Sequence, residues 1–159
     1  MSVASTKEQD GEAAAADLPD RPISGHPNLV TARGLEQLEA ALDSARAAYA
    51  AAQASEDIQT DRTAMARATR DLRYYGARRA SAQLVETRPV DGVVRFGGKV
   101  TFEREDGRTQ TYAIVGEDEA DPANGSVSWV SPLARALLGR SVGEVVKVGE
   151  GEVEVLAVD

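Results

Sequence analysis

Three groups of residues in this 159-residue chain have side chains whose type and spacing could do chemistry. The first is Glu56, Asp57 and Asp61, three carboxylates within six residues, lying between two Ala-rich segments. Hard oxygen ligands of this kind suit Mg2+, which keeps most of its waters and takes one or two protein carboxylates. Nothing nearby completes a coordination shell, so these acids could act only on a metal already held by a partner. The plainer alternative is a set of loop and helix-start acids stabilised by a helix dipole. The second group is Arg62, Arg67, Arg70, Arg73, Arg78 and Arg79. At helical spacing Arg62, Arg70 and Arg73 share one flank, whereas Arg67 points elsewhere. Such a flank fits RNA or an acidic protein wall; it could equally pair with Glu36, Glu39 and Asp43. The third is the acidic loop Glu117, Asp118, Glu119 and Asp121, followed closely by Trp129, Val130, Ser131 and Pro132. Its oxygen spacing is not that of an EF-hand. Four acids in a loop could still bind Ca2+, but protein contact or solubility is the preferred reading, with Trp129 either in the core or an exposed anchor.

Other chemistries are excluded by composition. The chain has no cysteine, so there are no disulfides and no thiolate metal sites. His26 is the only histidine and has no partner at metal-ligand spacing, so Ser/His/Asp and Cys/His catalysis have no basis. Gly97-Gly98 reads as a turn, and no glycine-rich phosphate cradle is present. A self-contained catalytic site is therefore not expected, and the chain is not read as an enzyme. The net charge of −8 argues against independent DNA binding, since phosphate contacts need a basic surface. That charge is uneven: five acids face Lys7 and Arg21 in residues 1–30, acids and bases balance in 31–86, and acids exceed bases in 87–159. An acidic terminal domain meets a basic protein surface or simply stays in solution. No signal-peptide core and no membrane-length apolar run occur, so a soluble cytoplasmic protein is expected.

The positioning elements follow from periodicity. Residues 1–30 form an acidic N-terminal segment and linker with few large apolar side chains, expected to be disordered; Pro19 and Pro22 hold the linker extended. Thr31 is placed to cap a helix over 32–54 whose apolar residues Leu35, Leu38, Leu42, Ala45, Tyr49 and Ala52 alternate by three and four. A second helix over 61–85 repeats the interval with Met65, Ala68, Leu72, Tyr75 and Ala82, and Arg79 intrudes on this seam. Ser55–Thr60 joins them, a usual length between antiparallel helices. At ~1.5 Å per residue the hairpin, residues 31–86 with its tip near 55–61, would project roughly 35 Å. Residues 87–159 change to a β-rich pattern. Strands are expected at 93–96, 99–104, 109–115 and 127–130, with Asp106-Gly107 as a hairpin turn. Ser131 and Pro132 open a short helix that Gly139 closes, and a last hairpin joins 144–148 to 152–158. The fold class is α+β: a helical coiled-coil hairpin, then a strongly antiparallel sheet with one short helix. One hairpin satisfies its own seam, so a monomer is expected.

The order of parts in 114–122 (Ile-Val-Gly-Glu-Asp-Glu-Ala-Asp-Pro) and 130–139 (Val-Ser-Pro-Leu-Ala-Arg-Ala-Leu-Leu-Gly) resembles the C-terminal domain of the GreA/GreB transcript-cleavage and elongation factors of bacterial RNA polymerase. Residues 31–38 (Thr-Ala-Arg-Gly-Leu-Glu-Gln-Leu) look like that family's hairpin start, and Ala82-Gln83-Leu84-Val85 like its end. The resemblance spans 29–159 and implies an FKBP-like C-terminal domain that docks on the rim of the polymerase secondary channel. It implies a coiled-coil arm inside the channel, near the RNA 3' end. There, two acidic tip residues help to hold a catalytic Mg2+ that the polymerase supplies, so that it cleaves backtracked RNA. The chain would need no cofactor of its own. By the same resemblance Val130, Ser131 and Pro132, with Asp118, Glu119 and Asp121 nearby, fall at the polymerase-docking loop, and Glu56, Asp57 or Asp61 at the tip. Two departures stand out. The family's tip signature, an acidic pair followed by Asn-Ala-Glu-Tyr, is replaced by Asp57-Ile58-Gln59-Thr60-Asp61. The arm is also shorter, by ~8 Å of reach. Three functions follow as expectations: an elongation factor that assists cleavage, a channel-occupying regulator resembling the regulators of nucleoside diphosphate kinase, or an unrelated helical-hairpin adaptor or prolyl isomerase.

Overall fold

The structure, a computed structural model, describes residues 18–55, 57–86, 88 and 90–159, with the backbone alone for 58–61. Of the segment 1–30 expected to be disordered, residues 1–17 lie outside the described residues, whereas 18–30 follow a defined path that buries Asn28 and ends in the strand Leu29–Val30. Two compact units are present, and they are drawn differently from the segments expected at 1–30, 31–86 and 87–159. One comprises Met1–Gly25 with Gln37–Ser81, the other His26–Glu36 with Ala82–Asp159.

The first unit is built on helices α1 (Ala32–Ala54) and α2 (Ile58–Ser81). Leu38, Leu42, Ala45 and Ala52 are buried along α1, and Ala68 along α2. Tyr49, Met65, Leu72 and Tyr75 are half-buried. The three-four alternation of the sequence therefore forms the seam as expected, with small residues allowing close approach. Glu39 and Arg79 join the two helices, Oε1 to Nη2 at 3.0 Å. Arg79 thus escapes the apolar seam by reaching outward to a carboxylate. The deeply buried arginine is instead its neighbour, Arg78, at 2% exposure.

Both ends of α2 differ from expectation. It starts at Ile58 rather than Asp61, leaving Ser55–Asp57 as the connection, and it ends at Ser81 rather than Val85. The early end has a tertiary cause in the second unit. Strand β2 (Gln83–Leu84) leaves helical geometry to pair in parallel with β1 (Leu29–Val30), in register Leu29 with Gln83 and Val30 with Leu84.

The rest of the second unit is a five-stranded sheet of β3 (Lys99–Arg104), β4 (Thr109–Val115), β5 (Ser126–Ser128), β6 (Val145–Val148) and β7 (Gly151–Val158). The spatial order is β5-β4-β3-β7-β6. β3 pairs antiparallel with both β4 and β7, and β6 pairs antiparallel with β7. β5 is parallel to β4, so the sheet is mixed rather than wholly antiparallel. The acidic loop is the reason. With its 3-10 turn at Pro122–Asn124 it carries the chain back beside Ala113, so that β5 runs along the last residues of β4 in the same direction instead of reversing as a hairpin. Gly107, at φ +84, makes the β3–β4 turn read from Asp106-Gly107. Residues 93–96, expected as a strand, make only an isolated bridge from Val93 to Ser141. Val94 nevertheless enters the core by exchanging backbone hydrogen bonds with Gly139 and Arg140.

Helix α3 (Pro132–Leu137) covers the sheet, burying Ala134 and Leu137. They join Val94, Val100, Phe102, Ile114, Val127, Val146, Val153 and Val155 in one core. Alternate residues of β3 and β7 supply four of these, as a pleated strand with one wet face requires. Among the described residues, no helix is long and apolar enough to cross a membrane.

Candidate functional site

The tip acids are only partly described. Glu56 lies outside the described residues, as does the side chain of Asp61, whose backbone is in the first turn of α2. Asp57 is exposed, and its N–H donates to Ser55 Oγ at 3.3 Å, which closes the connection between the helices. The fit to a shared Mg2+ therefore rests on one described carboxylate. Asp57 could supply one ligand to a metal whose other ligands come from elsewhere.

Arg62, Arg70 and Arg73 come together on one flank of α2. With Leu18, Met65, Ala66 and Thr69 they line a groove of about 430 Å³. Arg67 is exposed and is not among the lining residues. Of the alternative pairing with Glu36, Glu39 and Asp43 on α1, the Arg79–Glu39 pair is present, while Arg70 and Arg73 have other partners. Arg70 Nε lies 3.4 Å from Asp71 Oδ1, and Arg73 Nη1 lies 3.1 Å from Asp20 Oδ1. Arg21 follows Asp20 in the chain. Its guanidinium carbon is 3.9 Å from the centre of the Tyr74 ring and its Nη1 is 3.6 Å from Asp71 Oδ1. Its pKa is held above the ordinary arginine value by a hydrogen bond to Tyr75, against the opposing effect of burial, with further help from the charge fields of Tyr75, Tyr74 and Asp71. Tyr74 and Tyr75 meet edge to face at 5.2 Å. The sequence reading missed these contacts, because nothing in the local spacing of a Pro-bounded linker shows what it packs against.

The third group lies in the second unit. In the acidic loop, Glu119 is half-buried and accepts a 2.6 Å hydrogen bond from Thr31 Oγ1. Thr31 Oγ1 in turn accepts from the N–H of Gly34 at 3.0 Å, which is the N-cap expected of it. Asp118 is exposed. Asp121 is also exposed; its Oδ2 accepts from Asn124 Nδ2 at 2.7 Å, and its N–H donates to Ser126 Oγ at 2.9 Å. Ser131 caps α3, its hydroxyl accepting from Ala134 N–H at 3.2 Å, and Pro132 at the first helical position is exposed. Val130 is half-buried. Trp129 packs against the core, and its ring meets His26 edge-on at 6.0 Å. Arg135 Nη2 is 3.3 Å from His26 Nε2. A guanidinium can only donate, so this contact is a hydrogen bond in the tautomer whose Nε2 carries no proton.

The loop, β5 and α3 lie inside the part of the chain that matches a known family. Residues 89–159 match the family described as "Transcription elongation factor, GreA/GreB, C-term". The transcription elongation factor GreA of Desulfovibrio desulfuricans is 42% identical over 94 residues, covering 58% of this chain and 57% of that protein. GreB of Neisseria meningitidis serogroup B is 41% identical over 96 residues, covering 57% of this chain and 59% of that protein. Against both, the chain spans less than two thirds of the relative's length. Among solved structures, GreA factor homolog 1 of Thermus thermophilus superposes with a TM-score of 0.40 at 23% identity, over 84% of this chain and 99% of that one. The GreA of Alkalilimnicola ehrlichii is matched over more of its length, 37% identical across 150 residues that cover 81% of this chain and 95% of that protein. With the helical hairpin and the β-domain both inside that match, this chain belongs to the GreA/GreB family.

Proposed function

We propose that this chain binds RNA polymerase and modulates transcript elongation, with the hairpin inserted in the secondary channel and the β-domain on its rim. The observation that carries this is the hairpin itself. Two paired helices of 23 and 24 residues end on a connection that bears Asp57, a reach of roughly 35 Å at ~1.5 Å per residue. In this reading Glu56, Asp57 and Asp61 come close to a Mg2+ held by the polymerase, which supplies the Lewis acid and the activated water for RNA cleavage. The chain's own part is to bring a carboxylate to that centre. Arg62, Arg70 and Arg73 face the RNA or the channel wall. Asp118, Asp121, Val130, Ser131 and Pro132 form the docking contact, with Glu119 committed to Thr31. The protein acts as a cytoplasmic monomer and not as an enzyme.

The test is RNA cleavage in purified backtracked elongation complexes, with the chain and with its Glu56→Gln, Asp57→Asn and Asp61→Asn variants. Acceleration that the substitutions abolish supports metal delivery. Competition with an authentic GreA, without acceleration, supports a channel-occupying regulator instead; the replacement of the family's tip signature favours that outcome. Absence of both effects overturns the polymerase reading.

A further inference from the structure

One wall of the groove on α2 comes from outside the helix, from Leu18 of the linker. Leu18, Asp20 and Arg21 each contact a different part of the surface that an RNA strand would use. Leu18 lies with the apolar strip formed by Met65 and Ala66. Asp20 places a carboxylate 3.1 Å from Arg73, where a phosphate oxygen would bind. Arg21 lies over the Tyr74 ring, the kind of face on which an unpaired base stacks. The prolines at 19 and 22 hold this stretch extended, so three successive contacts are made at little cost in chain entropy. Charge points the same way. Asp20 sets a negative charge among the arginines of this flank.

We propose that Leu18–Arg21 is an intrachain strap that imitates a nucleic-acid strand on the Arg62/Arg70/Arg73 flank and must leave before single-stranded RNA can lie there. The proposal rests on the assignment of that flank to RNA. The strap is displaceable because its ion pair is exposed, with side chains of Asp20 and Arg73 at 62% and 65% of full accessibility. Exposed pairs of this kind are weak and salt-sensitive. A linker thereby sets a threshold. RNA already positioned by the polymerase, at high local concentration, displaces the strap, whereas free RNA in solution competes poorly with a tethered ligand.

Two measurements on the full-length chain test this. The chain has no cysteine, so Ala16→Cys gives one attachment point for a nitroxide spin label. Broadening of the backbone amide signals of Met65 to Arg73 at low salt, relieved at high salt, is expected; its absence overturns the strap. Fluorescence anisotropy with a 12-nucleotide oligouridine then compares the chain with Asp20→Asn/Arg21→Ala. This double variant leaves the net charge unchanged. It is expected to bind about two- to fivefold more tightly, the range that weak exposed contacts supply. Further substitution of Arg62, Arg70 and Arg73 by Gln should remove the gain. Equal affinity of the chain and its double variant overturns the strap as a competitor even if the spin label shows contact. Failure of both to bind RNA overturns the proposal and the RNA assignment of the flank, while the polymerase reading still stands or falls on the cleavage and competition assay.

Discussion

The hydroxyl of Thr31 lies 2.6 Å from the carboxylate of Glu119, 88 residues further along the chain, and donates its hydrogen bond there. The same oxygen accepts from Gly34 N–H. One threonine thus caps α1 and fastens the acidic loop to the start of that helix, where a carboxylate also meets the positive end of the helix dipole. Thr31→Val keeps the shape but removes both hydrogen bonds, and is expected to cost about 1–2 kcal/mol in urea unfolding. Glu119→Gln keeps an acceptor and should cost less. Equal costs would show that the charge, not the cap, dominates.

Gly34 and Gly116 differ in what an added methyl would meet. At Gly34 the nearest atom is Glu119 Oε2, the far end of a side chain, at 2.5 Å. At Gly116 it is the backbone oxygen of Leu29, which is fixed by the chain on either side. Gly116→Ala should therefore cost about 2 kcal/mol or more, as overpacking against an unyielding group does. Gly34→Ala gains about 1 kcal/mol of helix propensity while disturbing the Thr31–Glu119 bond, so its net effect should be near zero. In a Glu119→Ala background the same change should become stabilising. A double-mutant cycle measured by denaturant unfolding reads this coupling directly.

Ser131 and Pro132 separate folding from docking. Ser131→Ala removes the cap of α3 and should cost about 1 kcal/mol. Pro132 is exposed and offers no cap, so Pro132→Ala should change stability little. If the polymerase assignment holds, Pro132→Ala weakens binding by about fivefold, the size of an ordinary interface contact. Titration calorimetry with core polymerase checks the binding, and thermal unfolding of the same samples checks the fold.

The Glu39–Arg79 pair joins the two helices at 3.0 Å, but both side chains are about half exposed. Its coupling energy should be only about 0.5 kcal/mol and should fall as salt is raised. A cycle of Glu39→Gln and Arg79→Gln at low and high salt measures it. A coupling several times larger would mean that the pair is buried by something further.

Asp106 is held below the ordinary aspartate pKa, first by the backbone N–H of Arg108 and then by its guanidinium. A depressed folded value adds stability that is present above the unfolded pKa and is lost as pH falls through the folded one. Carboxyl-carbon NMR titration should place its midpoint below that of a model aspartate. Arg108→Ala should move it only part of the way back, because the backbone N–H remains.

Several features could be read from the chain because their causes are local. The seam of Leu38, Leu42, Ala45 and Ala52 follows from a three-four spacing, and the Thr31 and Ser131 caps from hydroxyls placed just before helical segments. The Asp106-Gly107 turn follows from a residue that accepts positive φ. What the sequence left open depends on groups brought together from far apart. Gln83 and Leu84 continue a helical pattern, yet they take strand geometry because Leu29 and Val30 offer hydrogen bonds to their backbone. β5 runs parallel to β4 because the loop between them folds back, a path that strand periodicity does not encode. Glu119 looked like Asp118 and Asp121 as one more acid of a loop, and only tertiary contact with Thr31 separates it from them. Asp20 and Arg21 read as linker until α2 supplied Arg73 and Tyr74. The sequence by itself determined the helical hairpin and the β-domain, since periodicity, capping and turn chemistry act over a few residues, while the family was legible only as a resemblance of the segments 114–122 and 130–139. The tertiary structure alone decided which acids face solvent, where the second helix ends and what lies on the arginine flank, because those outcomes depend on the energy of contacts between segments distant in the chain.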